Sequence, residues 1–244
     1  MLDYLRLEIR RTLREGHYVA FTVGMPVLLY ILFSNVGVDG GDKADVQTGL
    51  MIGMAAYGGM GAALSNGSTV AEDRALGWLR QLRITPLSTG STIAGRLVTG
   101  LLVVLPAITG VLLAGRLVND VSLSAGQWAA VAAFLWLGTA PFALLGLGNG
   151  FRFSGNTANV ANLACNVLLA VVGGLWIPES NFPSWLADIS QWTPSHAYGE
   201  LSWTVADGSI PSAGAFLAVA VWTLAFTAWA RRAYAAQRSG KTLA

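Results

Sequence analysis

The sequence predicts an all-α membrane protein, and three observations carry that expectation. First, 54% of the 244 residues are hydrophobic and only 11% are charged, with a mean hydropathy of +0.54. A soluble domain carries roughly 25% charged residues and can cover its surface with them; this chain cannot. Second, apolar runs recur at about the 20-residue length that crosses a bilayer. Third, arginines gather between alternate runs, as the positive-inside rule requires.

Taken in order, residues 1–16 form the first element. At about 100° per residue, Leu2, Leu5, Ile9 and Leu13 share one narrow face while Arg6, Arg10, Arg11 and Arg14 occupy the other. This is the pattern of an amphipathic helix lying in the inner interface, its cations near anionic headgroups. The run that follows, about 18–35, is long and lacks a small-x-small cleavage signature, so it reads as an uncleaved first span. The remaining spans are expected at about 47–66, 92–117, 127–149, 157–177 and 211–230. Pro26, Pro106, Pro141 and the Gly58-Gly59 pair lie inside spans, where neighbouring helices can re-satisfy the backbone.

With the N-terminus inside, the cytoplasmic segments hold Arg74, Arg80, Arg83, Arg96, Arg152, Arg231, Arg232, Arg238 and Lys241 besides the N-terminal arginines. Only Lys43 and Arg116 fall outside. Six spans return the C-terminus to the cytoplasm, and a multi-pass protein of the cell's inner (plasma) membrane is expected. The outer loops carry mostly acid, including Asp39, Asp42, Asp45, Asp120 and Asp207. The longest of them, 178–210, is too polar to span. Its aromatics (Phe182, Trp185, Trp192, Tyr198 and Trp203, with Trp176 just before) suit a headgroup interface. Short helices that lie on or dip into the outer leaflet are expected there. The whole of 1–244 reads as a single transmembrane domain; no repeat or linker marks a second one.

Between the second and third spans stands EDRALGWLRQLRITP, residues 72–86, with five charged side chains in an otherwise greasy region. As a helix it places Ala75, Trp78, Leu79 and Leu82 on one face and Asp73, Arg74, Gly77, Arg80 and Gln81 on most of the other. Pro86 ends it. Acids at its start and arginines in its later half suit the helix dipole. Such a helix floats at the inner interface or fits a partner's groove.

Span five carries a second polar feature. Asn156, Asn159, Asn162 and Asn166 advance by three, three and four residues and fall within about 120° of one another on a helix. Amides facing lipid are costly. They are expected either to hydrogen-bond another helix, including one across a dimer interface, or to line a substrate path. Arg96 and Arg116 mark the ends of span three and are expected to snorkel to opposite interfaces.

Several function classes lose support. A formal net charge of +2 gives no electrostatic basis for a nucleic-acid partner. The lone Cys165 excludes an internal disulfide and a multi-Cys metal site, and His17 and His196 are far apart. The tail AAQRSGKTLA nearly spells a P-loop, with Gly240, Lys241 and Thr242 in place. However, Ala235 stands where the first glycine belongs, and a span rather than a strand precedes it. It reads as a basic cytoplasmic tail. No clustered Ser/His/Asp, metal-ligand spacing or paired intramembrane carboxylates suggest an enzyme.

The pattern Glu72-Asp73-Arg74, Gly77, Leu79, Leu82, Thr85-Pro86 followed by a span resembles the ABC-2 family of ABC-transporter permeases. Members often have Glu-Arg/Lys-Glu where this chain has Glu72-Asp73-Arg74. The basic N-terminus looks like that family's elbow helix. The outer segment Pro178, Phe182-Pro183, Trp185-Leu186, Pro194 and Tyr198 resembles its outer re-entrant pair. The resemblance implies a permease that pairs with a second copy or a related permease and binds ATP-binding subunits. Residues 72–86 would then be the coupling helix, with Glu72, Asp73, Arg74, Gly77, Leu79, Leu82 and Pro86 at the partner ATPase. ATP and Mg would be bound by that partner, with no cofactor or catalytic centre in this chain. The cargo implied is a hydrophobic or amphiphilic molecule such as a drug, antibiotic or lipid, moved outward. The alternatives are an ion-coupled carrier, which the lack of Asp, Glu or Lys within the spans speaks against, and a non-transporting membrane anchor or assembly protein.

Overall fold

The computed structural model describes residues 20–35, 43–75 and 89–238. Among these, all regular structure is helical. A π-helical turn, Ala20–Gly24, leads into α1 (Met25–Asn35), followed by α2 (Lys43–Ala75), α3 (Thr89–Val118), α4 (Ala125–Leu137), α5 (Ala140–Arg152) and α6 (Gly155–Val172). A 3-10 turn, Glu179–Asn181, then precedes α7 (Ser184–Ser190), α8 (Pro194–Ala206) and α9 (Ala213–Arg238).

Among the described residues, four stretches are long and apolar enough to cross a membrane: Gly100–Val118, Ala125–Arg152, Gly155–Val172 and Ala213–Ala236, with Thr22–Asn35 a shorter apolar helix. The chain is thus a multi-pass membrane protein. α2 is longer than any of these at 33 residues, but its glycines, alanines and polar residues dilute its hydropathy. The reason is its position. α2 is the central helix, packed by α1, α3, α5 and α6, and Met51, Ile52, Met54, Ala55, Ala56 and Met60 are wholly buried. A helix covered by other helices needs small residues for close approach rather than a lipid-soluble surface. Two expected boundaries shift accordingly. The helix begun in span two continues to Ala75, so Glu72 lies on its last turns. Span five stops at Val172, and Gly173 and Gly174 turn the chain, the latter at a φ of +76°.

The closest approach is between α2 and α5. A Cβ on Gly67 would run into the backbone of Gly146, and one on Gly150 into the carbonyl of Gly67. Only glycine permits the crossing. On the far side of α5, Gly148 leaves room for the indole of Trp229 from α9, and Phe151 meets Tyr234 edge-on at 5.1 Å.

Span four is broken. The N–H of Gly138 still reaches the Phe134 carbonyl at 2.8 Å, but the N–H of Thr139 turns to the Trp136 carbonyl at 3.2 Å. In a continuous helix that N–H would serve Leu135. The Thr139 hydroxyl also donates to the Trp136 carbonyl at 2.6 Å, a back-bond that favours bending. Pro141 has no N–H to offer Leu137, which completes the interruption. The Leu135 carbonyl left over is taken by the Tyr198 hydroxyl of α8 at 2.7 Å. Tyr198 is 0% exposed, whereas Trp185 is 62% and Trp192 81% exposed. The aromatics of 178–210 therefore divide: those two are exposed, while Tyr198 belongs to the core.

Candidate functional site

α6 starts after Ser154 and presents its amides along α2. Asn162 is 3% exposed; its Nδ2 donates to Ser68 Oγ at 3.1 Å, and its Oδ1 accepts from Asn149 Nδ2 at 2.9 Å. Asn149 Oδ1 in turn accepts from Trp229 Nε1 at 3.2 Å. One chain of hydrogen bonds thereby joins α2, α6, α5 and α9. Nearer the Ala75 end of α2, Asn159 Nδ2 reaches Glu72 Oε1 at 3.5 Å. Towards the other end, Asn166 is buried against Gly61, where an added Cβ would stand 2.8 Å from the amide nitrogen. Its Oδ1 has no hydrogen-bond partner among the described residues. Tyr57 and Trp176 close the seam with an edge-to-face contact at 5.1 Å.

The predicted stripe is therefore divided. Asn159, Asn162 and Asn166 meet α2, and Asn156, on the first turn of α6, is exposed. The three inward amides face a partner surface of Ser68, Gly61 and Glu72, with Ser65 half-buried between them. A row of amides and hydroxyls without a fixed charge at its middle can hold two helices together. It can also offer donors and acceptors to a molecule that slides between them. Sequence reasoning missed Ser68, Asn149 and Trp229. A signal existed for Asn149, an amide set between Gly148 and Gly150 at the end of an apolar run.

At the Lys43 end of α2, a polar cavity of about 350 Å³ opens between α2, the α3–α4 loop and the end of α8, with Asp45, Gln47, Asn119, Asp120, Gln127 and Asp207 in its wall. Its corner is tied down by Gln127, which caps α4 through Ser124 and donates to the carbonyls of Val205 and Ala206 at 3.3 and 2.9 Å. Arg116, at the end of α3, reaches the Val121 carbonyl at 3.4 Å.

Of the expected coupling residues, Glu72 is exposed on α2, and the backbone of Asp73 and Arg74 continues that helix. Gly77, Leu79, Leu82 and Pro86 lie outside the described residues, as do residues 1–16 and the GKT tail. Among the described residues, no group of three or more His, Cys, Asp or Glu is placed to hold a metal ion.

An all-helical, multi-pass architecture around a small-residue central helix with a polar seam is that of an integral membrane protein. Residues 4–203 match the family of the ABC-2 type transporter, and the chain belongs to that family. It is a transmembrane transport permease subunit of a class that works with an ABC ATP-binding partner. Among known proteins it is similar to the "Putative transport permease YvfS" of Bacillus subtilis (strain 168), at 27% identity over 207 residues, covering 84% of each chain.

Proposed function

We propose that this chain is the membrane permease subunit of an ABC exporter that moves a hydrophobic or amphiphilic cargo, such as a drug, antibiotic or lipid, out of the cytoplasm. In this reading it crosses the inner (plasma) membrane six times with both termini cytoplasmic, as a single domain. It works with a second copy or a related permease. A separate ATP-binding subunit holds ATP and Mg and docks on residues 72–86 through Glu72, Asp73, Arg74, Gly77, Leu79, Leu82 and Pro86, so the chain needs no catalytic centre of its own. Family membership over residues 4–203 carries the proposal. The continuity of α2 supports it: the helix lined by the polar seam runs unbroken to Ala75, at the start of the docking segment. A motor must distinguish two states of the membrane domain to drive it, and a rigid helix joining motor and seam supplies that link. At rest the seam is closed by its own hydrogen bonds; when α2 and α6 part, Asn159, Asn162 and Asn166 turn to the cargo.

Affinity purification of the tagged chain from its native host, in mild detergent, tests the proposal. A stoichiometric ATP-binding subunit, lost when Glu72 and Leu79 are both replaced, is expected. Recovery of intact membrane complexes with no ATPase among them would sink it.

A further inference from the structure

Span four is not one helix in mechanical terms. Its outer half, α4, is held by α8 and α3. Gln127 bonds the last carbonyls of α8, Tyr198 bonds the Leu135 carbonyl, and Trp136 Nε1 donates to the Leu101 carbonyl at 2.8 Å. Its inner half, α5, is held by α2 and α9. Gly146 and Gly150 pack on Gly67, Gly148 on Trp229, and Asn149 bonds Trp229 and Asn162. Between the halves, one residue's regular hydrogen bond is diverted and one N–H is missing, at Thr139 and Pro141. Backbone that has lost two ladder bonds within one turn bends more easily than either flank.

From this we infer that Gly138–Thr139 is a hinge in span four between an outer body, α4 with α8, and an inner body, α5, with Tyr198 as the wedge that sets its angle. The ring of Tyr198 fills the bend. A Cβ on Gly138 would strike it, and Phe142, on the first turn of α5, lies 5.5 Å from it. Gly59 of α2 completes the socket, since a Cβ there would come within 3.1 Å of the Tyr198 hydroxyl and 3.2 Å of Thr139 Cγ2. The wedge therefore touches both bodies, while its hydroxyl holds only the outer one. α2 itself spans the joint, since Trp203 Nε1 of α8 donates to its Gly49 carbonyl at 3.1 Å and its Asp45 and Gln47 line the outer cavity, so the angle set here is the angle between α4 and α5. This does not depend on the exporter reading or on the identity of any partner.

The test is hydrogen–deuterium exchange on the purified full chain in phosphatidylcholine/phosphatidylglycerol nanodiscs, following peptides within 125–139, 143–152 and 194–206. Tyr198→Phe keeps the ring and removes the hydroxyl. It is expected to speed exchange about fivefold in 125–139 and 194–206, the effect of one lost buried hydrogen bond, while 143–152 stays unchanged. Pro141→Ala returns an N–H to the break and is expected to slow exchange at its near edge, in peptides that contain 136–139. These shifts of opposite sign, confined to the outer side and the joint, support the hinge. Equal shifts in 143–152, or any other pattern including no change, overturn it and make span four a single rigid element.

Discussion

α2 meets α5 and α6 in two different ways. Against α5 it is dry and close, glycine on glycine, with no room for a methyl group. Against α6 it is polar and wider, with Asn159, Asn162 and Asn166 facing Glu72, Ser68 and Gly61. The first kind of contact has a single geometry, because backbones in contact cannot slide without clashing. The second can exchange partners, since amides and hydroxyls accept new donors and acceptors at similar energy. One helix thus has a fixed side and an adaptable side, which suits a part that must move with one neighbour and away from another.

The fixed side is the more sensitive to substitution. Gly67→Ala places a methyl group against the backbone of Gly146 and is expected to cost about 3 kcal/mol, read as lost monodispersity and a lowered thermal midpoint in detergent. Tolerance of that change would mean that the crossing is not close-packed. On the adaptable side the probe is Asn162→Leu. It leaves Ser68 and Asn149 without their partner and is expected to cost about 1–2 kcal/mol, with transport altered as well. A midpoint and a transport rate equal to wild type would remove the seam from the mechanism. Asn156→Ala should be nearly silent, within about 0.5 kcal/mol, because Asn156 alone of the stripe is exposed. An effect as large as that of Asn162→Leu would show that the first turn of α6 has a partner beyond this chain.

Much of the helical order was legible because lipid imposes a length and an apolar composition on whatever crosses it. The amide stripe was legible for the same reason, as a period of three to four in an apolar run. Its partners were not, since Ser68 lies 94 residues from Asn162 and Trp229 lies 80 from Asn149, and no local pattern encodes a contact between distant helices. The interruption of span four was half-visible in Pro141, but a proline in an apolar run reads alike whether the helix curves or breaks. Tyr198 was placed at a headgroup interface because an outer-segment tyrosine has the same sequence signature there as in the core; only the free Leu135 carbonyl separates the two. Gly67, Gly146 and Gly150 were ordinary span glycines until their helices were set side by side.

The length of α2 has a consequence of its own. Thirty-three residues at about 1.5 Å each make a rod of about 50 Å, against a hydrocarbon layer of about 30 Å. Tilting such a rod by about 5° around its Lys43 end carries the Ala75 end about 4 Å sideways. An angle of that size is small enough for side chains to follow without repacking, yet the displacement at the tip is comparable to the width of a methylene chain. The protein can thus exchange a wide stroke at one end for a narrow one at the other, by leverage alone.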